Sequence, residues 1–501
     1  MSIVGLDLGT TACKAVAVND DGEIISKSML EYTPVKTQSG YIELNPESVW
    51  DSVKKVLTKI SEDTHKKDPV EAISISAMGD TVSPFDGNTE STYNSILSFD
   101  TRSTVEADFL ENLLGKEWIF KITGMPVHPS YSASKILWIK RNLPNVFKKT
   151  TKFLCYEDYI FTKLGLEKPA ISYSCAGRTM LFDIQKKKWN EKILSACGIS
   201  NNYLATPQPS GKKIGKINGD VAKEIGFPKN TTLVIGGHDQ ACGALGGGVI
   251  KEGSVLDATG TVECLVVVFD HALFDNNMLE ADLCCYPHCY PGKYCSIGIV
   301  YTSGAAFRWF RDKFGFQDCL EADKTNKDVY DIITSKFSYE PTNILLIPHL
   351  SGSGTPSMNP KAKGSMFGIT LSTDKYDIGK AILEGNTFEL KLNIDIMESI
   401  GISINEIKCI GGGARSDFWL QLKADILGRK VIASEFVDAP AVGAAILAGY
   451  GIGIFSSLEE GIEATSTPNK IYTPNAKKGE VYKTKYEEYM KFRERISSLY
   501  Q

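Results

Sequence analysis

The sequence predicts an α/β protein of two lobes, each a mixed sheet flanked by helices, closing around a central cleft. Three observations predict it. At 501 residues the chain exceeds what one hydrophobic core ordinarily holds. Apolar strand-like runs alternate with amphipathic helical stretches along most of its length. A short strand running into a Gly-Thr turn occurs twice, in GLDLGTT at 5–11 and SVLDATGT at 254–261, which suggests an internal duplication with one phosphate-binding turn per lobe. The boundary falls in the Gly-rich GALGGGVIKEG at 243–253, giving lobes 1–247 and 248–501.

The elements follow in order. Residues 2–8, Lys14–Val18 and Glu23–Ile25 read as a β-meander whose second turn is Asn19-Asp20-Asp21-Gly22. Asn45 caps a helix that opens on Pro46 and runs to about Ser61. Ala72–Ser76 reads as a buried strand, and residues 104–200 read mainly as helix. Strand signals return at Thr232–Gly237, Gly253–Glu263, Tyr294–Val300, Asn343–Ile347 and Glu406–Ile410, with helices at Asp377–Ser399 and Phe418–Leu427.

Composition narrows the partners. The chain is 43% hydrophobic and 23% charged, with a net charge of −5 and scattered Lys and Arg. No basic stripe is present, so nucleic acid is not an expected partner. The N-terminus lacks a basic n-region and carries an acid at Asp7, unlike a signal peptide. The uncharged run Ala439–Phe455 is rich in Gly and Ala and barely reaches spanning length, so a closely packed buried helix is expected, with no membrane contact. Twelve cysteines spread from Cys13 to Cys409 are expected as free thiols in the cytoplasm. Cys284, Cys285, His288, Cys289 and Cys295 have metal-like spacing, but Tyr290-Pro291-Gly292-Lys293 reads as a hairpin turn. Residues flanking such a turn alternate faces and do not converge.

Neither a Walker A sequence nor a GxGxxG opening a helix is present. What remains are Gly-Thr turns after strands. In LDLGTTACK, Gly9 with Thr10 and Thr11 lets backbone N–H groups approach phosphate oxygens, and Asp7 stands where it could hold Mg²⁺ through water.

A series of segments in fixed order sharpens this. LDLGTTACK at 6–14 is followed by GYIELNP at 40–46, SFDTR at 98–102, TGMP at 123–126 and SASKILW at 132–138. GGHDQACGALGGG at 236–248, ATGT at 258–261, SGAAFRWFRD at 303–312 and IPHLSGSGTP at 347–356 come next. LEGNTFEL at 383–390, GGGARSDFWLQLKADILG at 411–428 and VGAAILAG at 442–449 complete it. From residue 3 to about 455 the chain resembles the FGGY family of carbohydrate kinases, xylulose kinases among them. The resemblance implies two ribonuclease-H-like lobes of the actin-like ATPase type around a central cleft. It also implies transfer of the γ-phosphate of ATP, with Mg²⁺, to a hydroxyl of a small ketose or sugar alcohol, a xylulose-like sugar first.

The resemblance also implies the site. Asp239 in GGHDQ is the catalytic base and, with Asp7, a metal ligand. Thr10, Thr11, Lys14, Gly260 and Thr261 serve the phosphates, and Gly304, Gly412, Gly413, Ala414 and Asp417 serve the adenosine side. The GGGA turn opens a helix whose N-terminus suits polar or anionic ligands. His238 beside the base is read as structural. Met78, Gly79, Asp80, Asp239 and Gln240 form the sugar side. Met78-Gly79-Asp80 departs from the Gln-Met-His of xylulose kinases and the Gln-Arg-Glu of glycerol kinases, and Ser98 stands where many members have Trp. Gly79 and Ser98 are expected to enlarge or reshape the pocket, and Asp80 to accept hydrogen bonds from sugar hydroxyls. Gln240 replaces a frequent Asn, and SGSGTP lacks the usual Glu-Arg pair. The expected partners are sugar and ATP, and a homodimer is left open. Two rivals remain: an actin- or heat-shock-type ATPase, which would lack GGHDQ and the substrate loop, and a catalytically inactive sugar-binding regulator, which would not need Asp7 and Asp239. Sugar-dependent ATP turnover separates them.

Overall fold

The computed structural model describes residues 1–37, 40–64, 67–434 and 438–500. Its first sheet starts from a meander of β1 (Ser2–Leu8), β2 (Ala12–Asn19) and β3 (Ile24–Glu31). β4 (Val70–Ala77) lies parallel to β1, β6 (Thr232–His238) lies parallel to β4, and β5 (Lys213–Lys216) closes the edge antiparallel to β6. The crossover from β3 to β4 is helix α1 (Pro46–Thr64), entered with Asn45 Oδ1 accepting the Glu47 N–H at 2.9 Å.

The second sheet repeats this plan. β7 (Gly253–Thr259), β8 (Glu263–Phe269) and β10 (Tyr294–Val300) form an antiparallel meander, with the short β9 (Tyr286–Pro287) outside β10. β11 (Ile404–Gly411) lies parallel to β7, β12 (Lys430–Ser434) parallel to β11, and β13 (Asn469–Tyr472) antiparallel at the edge. The order β3-β2-β1-β4-β6-β5 therefore matches β10-β8-β7-β11-β12-β13 strand for strand and direction for direction. The short repeat at 5–11 and 254–261 marks a duplicated sheet.

Helices bind the halves together. α2 (Asp239–Gly246) follows β6, while α3 (Ser303–Phe314), α4 (Lys375–Ser399) and α5 (Asp417–Leu427) pack in the second half. α6 (Ala439–Ile452) belongs to the second half of the sequence but packs on β1, β4, β6 and α2. A Cβ on Gly443 would lie 2.0 Å from the Cys242 carbonyl oxygen, and one on Gly246 2.1 Å from that of Ala439. The Gly/Ala run thus serves backbone-to-backbone contact between α2 and α6. Among the described residues no helix is long and apolar enough to cross a membrane.

The turn Tyr290–Lys293 connects β9 to β10, closed by the Lys293 N–H on the Tyr290 carbonyl at 3.2 Å. The neighbouring cysteines scatter: the Cys285 sulfur accepts the Leu273 N–H, Cys295 donates to the Tyr286 carbonyl, and Cys289 meets Ser174 and Cys242.

Candidate active site

Two cavities meet at the β7–β8 turn. The first, about 390 Å³, lies at the C-terminal ends of β1, β4 and β6, where open α/β sheets collect ligands. It gathers Asp7, Thr10, Thr11, Lys14, Met78, Gly79, Asp80, Ser98, Asp239 and Gln240 from the sequence-derived set. The second, about 480 Å³, gathers Gly260, Thr261, Gly304, Gly412 and Gly413. Val262 and Cys264, past the same turn, face the first cavity.

Asp239 owes its position to a bulge. The β4–β6 register slips between Val234 and Gly237, which takes the Gly236 N–H off the ladder. Glu157 Oε1 accepts that N–H at 3.1 Å, and Ser174 Oγ accepts the His238 N–H at 3.0 Å. Glycine is required at 236, since a Cβ would lie 1.9 Å from the Ile75 carbonyl oxygen. The strand then ends at His238, and Asp239 begins α2 facing the cleft, with a quarter of its side chain exposed.

Its electrostatics suit proton transfer. Enclosure, then the charge of Asp7, raises the Asp239 carboxyl to about 7; a hydrogen bond from the Gln240 backbone and the Arg178 charge oppose this. Enclosure also raises Asp7 to about 6, against the Ser76 hydroxyl donated at 2.7 Å and the Lys14 charge. Burial, then Arg178, holds the His238 imidazole well below its ordinary value, so it stays neutral. Its Nδ1 is 3.0 Å from the Tyr286 hydroxyl and its Nε2 3.2 Å from Asp239 Oδ1, so it packs against the base as well as supporting the strand end.

The substrate loop differs from expectation in two ways. The Asp80 carboxylate is already held by Arg178, with Nε at 3.1 Å and Nη2 at 3.0 Å. Asp80 takes this position at φ +66°, with its carbonyl oxygen accepting from buried Lys135 Nζ at 2.9 Å. Burial lowers Lys135 to about 7. Gly79 does not open empty space either. A Cβ there would lie 2.6 Å from His238 Nε2 and 3.2 Å from Arg178 Cγ, so the room it leaves is filled by these two side chains. In SFDTR, Arg102 is buried against Asp100 and Glu43 at 2.6 and 2.7 Å, which leaves Ser98 and Phe99 lining the cavity.

The second cavity is built from close backbone approaches. A Cβ on Gly304 would lie 2.2 Å from the Gly260 carbonyl oxygen, and one on Gly413 2.6 Å from Thr259 Cγ2. Arg308 Nη2 donates to Thr261 Oγ1 at 3.2 Å. Beneath the turn, fully buried Lys423 contacts Asp257, Glu263 and, at 2.9 Å, Thr259 Oγ1. Ala258 occupies the place in β7 that Asp7 occupies in β1, and Asp257 stands one residue earlier, on the other face of the strand. Asp257 is sealed by a lysine, whereas Asp7 takes one serine hydroxyl and faces the cleft.

Two sequence-derived residues fall outside both cavities. Ala414 lies in the Gly412–Arg415 turn without lining the second cavity. Asp417 accepts from Tyr472 Oη at 2.5 Å and Lys470 Nζ at 2.6 Å, and borders a neighbouring hollow of about 460 Å³. Lys14 reaches Asp438 at 3.6 Å. Sequence reading missed Arg178, His128, Tyr131, Asp282 and Tyr301 in the first cavity and Arg308 and Trp419 in the second. It also missed Lys423, although a lysine on the same helical face as Trp419 and Ile426 signals a buried acidic partner.

Comparisons with known proteins bear on the family and the fold. The models described as the N-terminal and C-terminal domains of the FGGY family of carbohydrate kinases match residues 2–246 and 258–452. The chain is 29% identical over 489 residues to the xylulose kinase of Bacillus subtilis, covering 97% of this chain and 95% of that one. It is 30% identical over 471 residues to the glycerol kinase of Saccharolobus islandicus, covering 91% and 89%. The crystal structure of a xylulose kinase from Lactobacillus acidophilus shares the fold at TM-score 0.90 and 24% identity, covering 100% of this chain and 99% of that one. That of Plasmodium falciparum glycerol kinase with ADP gives 0.87 and 23%, covering 99% and 98%.

Proposed function

Because the chain belongs to the FGGY family of carbohydrate kinases, we propose that it phosphorylates a neutral ketose or sugar alcohol, a xylulose-like sugar first, with Asp239 as general base. The sugar occupies the first cavity, and the nucleoside of ATP the second. The β1–β2 and β7–β8 turns offer backbone N–H groups to the phosphates between them. Asp239 takes the proton of the attacking hydroxyl as its oxygen bonds to the γ-phosphorus and the bond to the β-phosphate oxygen breaks, releasing ADP. Closure of the cleft excludes water as a competing acceptor.

One observation carries the choice of a neutral sugar. The guanidinium that lines the sugar cavity, Arg178, is spent on Asp80, and no other described cation there lies free to receive a substrate carboxylate. Asp7 and Asp239 fit a divalent cation, since their carboxylates face the same space and Asp7 raises the Asp239 carboxyl. When bound, Mg²⁺ would supply charge neutralisation for the transferring phosphoryl group. The twelve free thiols fit a reducing compartment such as the cytoplasm.

Coupled ADP release tests the proposal across xylulose, other ketoses, glycerol, longer polyols and gluconate. ADP release that depends on a neutral sugar is expected. Sugar-independent ATP hydrolysis, or turnover with gluconate alone, would overturn it.

A further inference from the structure

Four carboxylates line the sugar cavity. Asp239 is the proposed base, Asp7 shares the proposed cation with it, and Asp80 is held by Arg178. The fourth, Asp282, has no assigned part. It comes from the second half of the chain, just after the short helix Asn276–Glu280, whereas Asp80, His128 and Tyr131 come from the first half. Its Oδ2 accepts the backbone N–H of Met358, another cavity residue, at 3.1 Å. Among the described residues its other oxygen takes no hydrogen bond, and no cation lies within ion-pair distance. Asp282 holds φ +55°, an uncommon conformation for a residue with a side chain. Tyr301 lies close by: burial pushes its phenol up to about 12, with Cys264, Asp80 and Asp282 adding to the effect.

A half-buried carboxylate with a free oxygen needs donors, and sugar hydroxyls are donors. The same charge repels an acidic substrate: Lys116, whose charge reaches Asp282, is not among the cavity-lining residues, and the lining cations Arg178 and Lys14 are paired with Asp80 and Asp438. Resting on the kinase reading above, we infer that Asp282 is a specificity-determining residue that accepts hydroxyl hydrogen bonds from the end of the sugar remote from the phosphorylated oxygen and disfavours aldonates. It also makes the sugar a bridge between the two halves of the chain.

The test uses Asp282→Asn, which keeps the shape, tolerates the positive φ and removes the charge. Asp282→Gly removes the side chain without backbone strain. The neutral sugar's KM is expected to rise about tenfold to a hundredfold in the Gly variant, as for loss of a charged hydrogen bond, while the KM for ATP moves less than about threefold. One mono-deoxy analogue should be handicapped about tenfold on the natural enzyme and hardly at all on the Gly variant. In the Asn variant, the preference for neutral sugar over gluconate should shrink at least about fivefold. Unchanged sugar KM, analogue ranking and gluconate discrimination in variants that melt normally would overturn the inference. Failure of the natural enzyme to turn over any neutral sugar would overturn the kinase proposal instead.

Discussion

Replacing Asp239 with Asn separates catalysis from stability in one experiment. In the natural protein the carboxyl at about 7 must be ionised to accept a proton. One pH unit below that value only about one molecule in eleven carries the free base, so kcat/KM should fall about tenfold from its plateau by pH 6 and about a hundredfold by pH 5. The Asn variant should lose about 10²–10⁴ in kcat and, in its residual activity, this pH dependence. Stability should move the other way. The folded-state value is raised above the unfolded one near 3.8, so the folded protein binds this proton more tightly. Its contribution is fully present below about pH 4 and lost as pH rises to about 7. A three-unit shift corresponds to about 4 kcal/mol at most, and the exposed quarter of the side chain reduces this to about 2. In metal- and nucleotide-free buffer, the Asn variant should therefore match the natural protein at pH 4 and exceed it by about 2 kcal/mol at pH 8. Asp239 does not cap α2; the N-cap is His238, without a side-chain bond, so loss of a cap does not mask the gain. The assays are steady-state ADP release and urea unfolding across pH. Near-natural kcat in a folded Asn variant would refute the base assignment, and a variant less stable at pH 8 would refute the electrostatic account.

Gly304→Ala places a methyl 2.2 Å from the Gly260 carbonyl oxygen and must displace the phosphate turn, so the ATP KM should rise about tenfold or more, with sugar binding by calorimetry little changed. Lys423→Met strands Asp257 and Glu263 together in the core and should cost about 3–5 kcal/mol by urea unfolding, less at low pH where Glu263, which burial and then the Asp257 charge raise to about 7, is protonated; a loss under about 1 kcal/mol would disprove their dependence on the lysine. Arg178→Lys cannot reproduce the two-pronged contact with Asp80, so the sugar KM should rise about tenfold while the ATP KM holds; equal effects on both substrates would mean the loop serves the whole cleft.

What could be read in advance was local. The strand–turn–strand units, the Gly-Thr turns, the crossover helix begun by Asn45-Pro46 and the close-packed Gly/Ala helix each declare themselves within a few residues, because backbone conformation and hydrophobic period are short-range properties. The placement of Asp239 at the end of a strand was legible for the same reason, since strand, Gly-Gly and Asp follow one another directly in GGHDQ. Charge pairing was not legible, because it joins residues far apart in the chain. Asp80 and Arg178 are 98 positions apart, and Lys423 lies 166 from Asp257. Asp7 and Asp257 lie in equivalent strands, but the register of the two turns sets them one position apart and so on opposite faces, where α5 seals Asp257 with a lysine and Asp7 faces the cleft. Nothing local announced that β6 would bring the His238 ring against Gly79, or that β13 would bring Lys470 and Tyr472 to the Asp417 carboxylate. A side chain's chemistry is set by the groups that desolvate and neutralise it, and the tertiary fold alone chooses those groups.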